Sequence, residues 1–190
     1  VGRQVSDSVM RTVDVYTFAD GEAIPLMAAG YSRLLTCDLN MDGIHELMLI
    51  SPGELEDDNA VAVLYSVKGG RMDRSREVEL SGTAESVKRV SLCRLRGDVP
   101  AVYVAGTLNS NVLVTDLLVL RDGLLMGVPD TDRWQGGIQT LRNYYVYADD
   151  VDEDGIIELP SPITMRSIFG HRNSDQQYLI RWYALDSSGK

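Results

Sequence analysis

The chain has 190 residues, and its 28 Asp and Glu residues against 18 Lys and Arg residues give a formal net charge of −10. A surface of this sign does not neutralise phosphates, which argues against a nucleic-acid partner and against attachment to anionic lipid. The acids are 19 Asp and 9 Glu, and Asp favours turns and oxygen-ligand metal sites over helices. The composition therefore predicts one compact, strand-rich domain with a sizeable core.

Membrane insertion and a disulfide framework are both unexpected. No apolar run reaches 18 residues, and residues 1–4 have no apolar character typical of a signal peptide. The two cysteines, Cys37 and Cys93, are too few for a disulfide framework. We expect two free buried thiols, and a single disulfide is the alternative.

Apolar runs that end in a turn signal recur along the chain. The turns are Asp20-Gly21, Gly69-Gly70 and Asp122-Gly123, with a weaker example near residue 186. Each turn is followed by a short second run, at residues 23–27, 77–80 and 124–128. An apolar run, a Gly-containing turn and another run predict a β-hairpin.

Between these hairpins lies an acidic motif, D-x-[DN]-x-D-G-I-x-E-L, which begins at Asp38 and again at Asp150. Midway between them, Cys93-Arg94-Leu95 echoes residues 37–39, and residues 99–104 echo residues 44–49. This middle copy is one residue shorter and lacks the carboxylates. The three copies begin at the evenly spaced positions 38, 94 and 150, and this constant period indicates a repeat architecture.

Each period holds about four short strands, predicted in the first full copy at residues 31–37, 44–50, 60–67 and 74–80. Four antiparallel strands per repeat are typical of a β-propeller blade, with a sandwich or barrel as the alternative. We predict an all-β, propeller-like array in a single domain, with a partial blade at 1–30, blades at 31–82 and 83–130, and a partial blade at 134–190. Residues 161–177 are predicted to be an insertion loop.

Propellers close with four to eight blades, whereas two full and two partial blades are counted here. Because the chain begins inside a predicted blade, we expect it to be part of a larger propeller, with an open, capped array as the alternative.

The acidic loops predict up to two Ca²⁺ ions, since the side-chain oxygens at positions 1, 3 and 5, the carbonyl at position 7 and the carboxylate at position 9 form an oxygen cage. The candidate ligands of the two loops are Asp38, Asn40, Asp42, the carbonyl of Ile44, Glu46, Asp150, Asp152, Asp154, the carbonyl of Ile156, and Glu158. An EF-hand is excluded because its position 12 is Leu49 in one loop and Ser161 in the other. The alternative is a solvated acidic turn that binds nothing.

The middle copy carries Arg94 at position 1, Arg96 near position 3 and Ala101 at position 9. One hypothesis is that a guanidinium occupies the space of the ion, and the alternative is an exposed loop with two surface arginines.

The two acidic loops with their flanking strands, residues 36–50 and 148–160, resemble FG-GAP or VCBS-type repeats, and the middle copy at 92–105 resembles them weakly. Residues 31–185 are more loosely similar to the propeller of predicted lipoproteins of Gram-positive gut bacteria. The resemblance implies calcium-stabilised blades, an extracellular or cell-envelope location, and a lipid anchor outside this chain. It also implies adhesion or ligand display with an unknown protein or glycan as the partner.

Catalytic motifs are scarce. His45 lies in the first acidic loop and His171 in a predicted loop, and no nucleophile elbow, H-E-x-x-H or phosphate loop occurs. Aromatic residues cluster near the last copy, for core packing or for sugar stacking: Trp134, Tyr144, Tyr145, Tyr147 and Trp182. We therefore expect a non-enzymatic binding module, with a polysaccharide-active enzyme or its accessory domain as the alternative.

Overall fold

The computed structural model describes residues 3–5, 8–54, 58–108, 112–128, 138–142, 146–164 and 178–188. Within these ranges every regular element is a β-strand, which confirms the all-β prediction. None of the described residues belongs to a helix that could cross a bilayer. The strands are β1 (Arg3–Val5), β2 (Ser8–Ala19), β3 (Glu22–Tyr31), β4 (Arg33–Cys37), β5 (Glu46–Ser51), β6 (Val61–Lys68), β7 (Arg71–Arg74), β8 (Val78–Glu79), β9 (Val87–Leu95), β10 (Val99–Leu108), β11 (Val112–Arg121), β12 (Leu124–Val128), β13 (Ile138–Arg142), β14 (Glu158–Thr164) and β15 (Tyr178–Ala184).

Two four-stranded antiparallel meanders form the centre of the fold. The first sheet has the order β4-β5-β6-β7, and the second sheet has the order β9-β10-β11-β12. In each, a short extra strand continues beside the third strand: β8 pairs with β6, and β13 pairs with β11. An N-terminal sheet (β1-β2-β3) precedes them, and a C-terminal sheet (β14-β15) follows. The predicted four-stranded antiparallel unit is therefore present twice.

Three hairpin turns are present as predicted, and they join β2 to β3, β6 to β7 and β11 to β12. Both central residues of each turn have positive φ, which is the type I′ geometry that matches strand twist. The φ angles are 53° and 81° at Asp20 and Gly21, 56° and 74° at Gly69 and Gly70, and 51° and 75° at Asp122 and Gly123.

Several predicted boundaries were wrong. The strand predicted at 31–37 begins at Arg33, because Tyr31 ends β3, and the strand predicted at 44–50 begins only at Glu46. Within the strand predicted at 74–80, only Arg74, the last residue of β7, and the two residues of β8 are in strands. Between them the Ser75 hydroxyl accepts a 2.9 Å hydrogen bond from the N–H of Leu64, and the Ser75 N–H donates to the Leu64 carbonyl at 2.8 Å. The run predicted at 77–80 is thus not the hairpin partner of β6, which is β7.

The insertion loop predicted at 161–177 was wrong over its first four residues. Residues 161–164 belong to β14, which pairs with β15 from Glu158 to Thr164. Pro160 and Pro162 argued against a strand here, because proline is depleted in strands except where no ladder hydrogen bond is needed. Residues 165–177 lie outside the described residues.

The second sheet is buried on both faces. Along β10, Val102 and Val104 belong to a core cluster shared with the first sheet, and Ala101, Tyr103 and Ala105 belong to a cluster shared with the C-terminal sheet. Adjacent residues of a strand point to opposite faces, so this continuous apolar run requires sheets on both sides. The sheets therefore stack face to face, which is compatible with a propeller-like array.

Both cysteines are free thiols and form no disulfide, as expected. Cys37 is fully buried and Cys93 partly buried. Burial raises the pKa of each thiol to about 12, with the carboxylates of Glu46 and Asp38 adding to the effect at Cys37.

Candidate metal centre

Three strand–loop–strand units share one register. Their flanking pairs are Cys37 with Glu46, Cys93 with Ala101, and Asp149 with Glu158. The first members of these pairs, at positions 37, 93 and 149, are evenly spaced, which agrees with the period read from the sequence. Residues 38–45 and 150–157 are the acidic loops. Residues 94–100 are the shorter middle copy, called the middle loop below, in which β9 and β10 stay paired as far as Leu95 and Val99.

The two acidic loops have the same backbone course. Met41 and Gly43 have φ angles of 57° and 84°, and the matching Glu153 and Gly155 have 61° and 88°. The glycine N–H donates to the first aspartate in both loops, from Gly43 to Asp38 Oδ2 at 3.0 Å and from Gly155 to Asp150 Oδ2 at 2.8 Å.

In each loop, the aspartate at position 5 accepts a hydrogen bond from the residue that follows the glycine. The N–H of Ile44 donates to Asp42 Oδ1 at 2.7 Å, and the N–H of Ile156 donates to Asp154 Oδ1 at 2.8 Å. These bonds fold the acidic side chains over the backbone turn. Like Asx turns in general, they form because a short carboxylate reaches a backbone N–H two residues on.

The glutamates at position 9 close the loops from the strand side. Glu46 is 3% exposed and accepts a 2.8 Å hydrogen bond at Oε2 from the N–H of Leu39. Glu158 is 9% exposed and accepts the equivalent bond from Val151, also at 2.8 Å. Each glutamate therefore holds its loop together in addition to being a candidate ligand.

The structure brings most of the predicted ligands together. In the first loop, carboxylate oxygens of Asp38, Asp42 and Glu46 all lie within 4.8 Å of one another. In the last loop the corresponding group is Asp150, Asp152 and Asp154, which does not include Glu158.

Asn40 contributes differently from the acidic residues. Its Oδ1 accepts from the N–H of Asp42 at 2.8 Å, and its Nδ2 donates to Asp42 Oδ2 at 2.9 Å. The amide thus donates a hydrogen bond to the Asp42 carboxylate without adding a charge, whereas the last loop has the charged Asp152 in its place.

One oxygen of the last loop is left without a partner. Asp150 Oδ1 is buried from solvent and has no hydrogen-bond partner, although Oδ2 of the same carboxylate accepts from Gly155. A buried, unpaired carboxylate oxygen is unfavourable, and nearby like charges make it more so. An all-oxygen set containing such an atom fits a hard cation such as Ca²⁺.

The middle loop has its own internal ion pair. Arg94, at the register position of Asp38 and Asp150, donates from Nη1 to the carboxylate of Asp98. Ala101 stands fully buried at the position of Glu46. A cationic side chain thus accompanies the loss of the carboxylates, and the hypothesis that it replaces an ion stays a prediction.

Contacts with the second sheet fix the position of the last acidic loop. The N–H of Ile157 donates to the Arg94 carbonyl at 2.9 Å, and the N–H of Ala148 donates to the Tyr103 hydroxyl at 3.3 Å. Sequence reasoning missed Tyr103, which is fully buried, because nothing in the motif marks a residue that contacts a neighbouring repeat.

The remaining candidates have simpler surroundings. His45 is exposed, Tyr147 packs against the core shared with the C-terminal sheet, and Trp182 is half-buried. Outside the described residues lie His171, Trp134, Tyr144 and Tyr145.

Comparison of the chain with protein-family models, with curated proteins and with solved structures finds no match in any of the three. The resemblance to calcium-loop repeats therefore depends on the residues of the loops alone and remains a prediction.

Proposed function

We propose that this chain is a non-enzymatic, propeller-like binding module of the cell surface, whose acidic loops each hold one Ca²⁺. The observation that carries the proposal is the unpartnered Asp150 Oδ1, buried beside the carboxylates of Asp152 and Asp154. The loops that begin at Asp38 and Asp150 have the same backbone course, and each gathers three carboxylates at the same register position.

Bound Ca²⁺ would supply positive charge that offsets the repulsion among three carboxylates. In the last loop Asp150, Asp152 and Asp154 would hold it, and in the first loop Asp38, Asp42 and Glu46 would do so. Two ions would change the formal charge from −10 to −6. The bound ions would further stabilise the loops. Glu46 and Glu158 already hydrogen-bond each loop to its second strand.

The binding role and the location are supported by the resemblance of the loops and by the composition. Three Lys and two His among 190 residues give few amine and imidazole groups that could act beside a carboxylate in catalysis, which favours a binding module over an enzyme. Extracellular calcium modules work with dissociation constants of about 10⁻⁴–10⁻³ M, in keeping with solvent-exposed loops such as these. A protein or a glycan is the proposed partner.

Isothermal titration of the EDTA-treated, dialysed chain with CaCl₂ tests the metal proposal. We expect two ions per chain and a raised melting temperature. A ligand at about 100 times its Kd adds roughly 2.7 kcal/mol to the free energy of unfolding, or about 5–10 °C for a domain of this size. An unchanged melting temperature with and without EDTA would contradict the proposal, and a third ion would contradict a cation-free middle loop.

A glycan array and a polysaccharide-lyase assay on the calcium-loaded chain test the binding role separately. We expect saturable binding without turnover. Turnover of any polysaccharide would show that the module is an enzyme, whatever the calcium result.

A further inference from the structure

The facing edges of the two four-stranded sheets carry only positive charge. β4 forms one edge of the first sheet and β9 one edge of the second, and the two strands contact each other. Together they contain four Lys and Arg residues and no Asp or Glu, in a chain with 28 acids among 190 residues. Arg94 is paired with Asp98, and the other three are exposed: Arg33, Lys88 and Arg89. We call these three residues the basic edge.

The backbone of both sheets holds the guanidinium of Arg33 in place. Nη1 donates to the Ser32 carbonyl at 3.0 Å, and Nη2 donates to the Val87 carbonyl of β9 at 2.9 Å. Ser32 is itself fixed, because its N–H and its hydroxyl both donate to the Ile50 carbonyl, at 2.8 and 2.9 Å. A guanidinium that is positioned before a ligand arrives loses less conformational entropy on binding.

These bonds leave the positive charge of Arg33 without a counter-charge. A carbonyl accepts a hydrogen bond but carries no net charge, and within the described part of the chain no residue of the basic edge forms an ion pair. A guanidinium has five N–H donors, so three remain after the two bonds to carbonyls. Donors in this planar arrangement suit a carboxylate, which accepts two parallel hydrogen bonds.

Lys88 is placed to contact the same ligand. The carbonyl that holds Arg33 belongs to the peptide bond between Val87 and Lys88, so the Lys88 Cα lies within about 6 Å of Arg33 Nη2. The register of β9 against β10 shifts at this point and leaves Lys88 without a partner, as in a β-bulge that redirects a side chain. Arg89 follows, with its guanidinium carbon 5.9 Å from the centre of the Tyr103 ring, and adds a third positive charge.

The basic edge does not serve to neutralise the acidic loops. β4 runs from Arg33 to Cys37, so Asp38 lies about 16 Å from Arg33 at about 3.3 Å per residue. This is roughly twice the screening length of about 8 Å at physiological salt. Glu85, also exposed, is the acidic residue nearest to Lys88 in sequence and offsets one of the three charges. Solvated charges on an edge strand also prevent pairing with other chains, but that role does not require the two carbonyl bonds of Arg33.

We infer that the basic edge binds the carboxylate of an acidic sugar at the end of a glycan, with Arg33 as the bidentate anchor and Lys88 as a second cation. The inference rests on the proposed binding role and specifies its partner. One carboxylate suits a patch of three cations, whereas a long polyanion would be repelled by the chain's net charge of −10. An extended peptide would need the backbone groups of a free strand edge, and Arg33 already occupies the Val87 carbonyl there.

Titration of the chain with sodium D-glucuronate, followed by ¹H–¹⁵N NMR at constant ionic strength, tests the inference, with D-glucose as the neutral control. We expect saturable binding of glucuronate with a Kd in the millimolar range, shifts centred on β4 and β9, and no saturable binding of glucose. Added NaCl should weaken binding, because it screens the ion pair. Running the titration both in CaCl₂ and in EDTA keeps the result independent of the calcium proposal.

Four substitutions assign the site. Arg33→Gln should weaken glucuronate binding at least about tenfold, as loss of a charged donor does, and Arg33→Lys should fall between Arg33→Gln and the native chain. Lys88→Gln should weaken binding about threefold without changing the melting temperature, since its side chain is exposed. This variant keeps the inference testable even if Arg33→Gln loosens the contact between the sheets. Arg71→Gln, which removes the same charge from an exposed position of β7, should leave binding unchanged.

The outcomes that would overturn the inference are distinct from a failure of the proposed function. They are no saturable binding of glucuronate, equal binding of glucose, or equal affinity in the native chain and in both Arg33→Gln and Lys88→Gln. Tighter binding of tri-aspartate than of glucuronate would assign the basic edge to a protein partner and would also overturn it. A neutral glycan that binds Arg33→Gln as well as the native chain would support the binding module while contradicting this site.

Discussion

The carboxylate of Asp116 accepts two hydrogen bonds from Ser81, one from the backbone N–H at 3.0 Å and one from the hydroxyl at 2.7 Å. Asp116 lies on β11 of the second sheet, and Ser81 follows β8 of the first sheet. Both residues are buried, so this pair is a polar contact between the two four-stranded sheets, beside the apolar cluster that the sheets share.

Replacing Asp116 should separate its hydrogen bonding from its charge. Asp116→Ala removes the acceptor of two hydrogen bonds that the buried Ser81 donates, and we expect a loss of about 1–3 kcal/mol in the free energy of unfolding. Asp116→Asn keeps an acceptor oxygen and should lose less. Urea denaturation of both variants measures this, and equal losses would show that hydrogen bonding is not the cause.

The same carboxylate gives a pH dependence of known sign. Burial raises the pKa of Asp116, so the folded state binds this proton more tightly than the unfolded state. Its contribution to stability therefore grows as pH falls through the folded-state pKa and declines as pH rises. The stability difference between the native chain and Asp116→Asn, followed from pH 7 down, isolates this group. If the stability of the two proteins changed in parallel with pH, the predicted contribution of Asp116 would be contradicted.

Asp150→Asn should have opposite effects with and without calcium. In EDTA the variant is expected to be as stable as the native chain or more so, because one of three adjacent negative charges is gone. With Ca²⁺ it should lose the stabilisation provided by the last loop, and titration should find one ion instead of two.

Asp122→Asn is the matched control for that experiment. It removes the same charge at an exposed type I′ turn outside both acidic loops, at a positive φ that Asn accepts readily. Equal calcium responses in Asp150→Asn and Asp122→Asn would show that net charge, not a site, causes the effect.

Glu46 is expected to matter even without metal. Glu46→Ala leaves the N–H of Leu39 without its acceptor in a buried position, at a cost of about 1–3 kcal/mol. Glu46→Gln keeps an acceptor and should retain most of the metal-free stability while weakening calcium binding. Thermal denaturation in EDTA, compared with calcium titration, distinguishes the two roles.

Gly155 tests the backbone course of the last loop. Its φ of 88° is strained for any residue with a Cβ, although no atom lies within 4 Å of the Cβ position. Gly155→Ala should therefore lose about 1–2 kcal/mol through conformation alone. Gly127→Ala meets equally open space at an ordinary φ and should be nearly neutral. Equal losses would contradict the strain argument.

The hairpins and the loop period could be predicted because local chemistry specifies them. Asp-Gly and Gly-Gly pairs favour positive φ at two successive residues, and the structure has type I′ turns at Asp20-Gly21, Gly69-Gly70 and Asp122-Gly123. The position of strand ends was less predictable. The break at Ser75 depends on hydrogen bonds to Leu64, and the strand hidden by Pro160 and Pro162 depends on its pairing with β15.

The sequence by itself determined that the protein is all-β, that three loops recur at a constant spacing, and which oxygens of two loops are candidate ligands. Turn chemistry and alternation act over a few residues, so they are readable without a structure. Only the tertiary structure decided which carboxylates come within 4.8 Å of one another, that Asp150 Oδ1 is left unpaired, and that Glu158 stands outside its group. It also decided that Tyr103 and Asp116 join neighbouring sheets, since such contacts depend on how separate repeats stack.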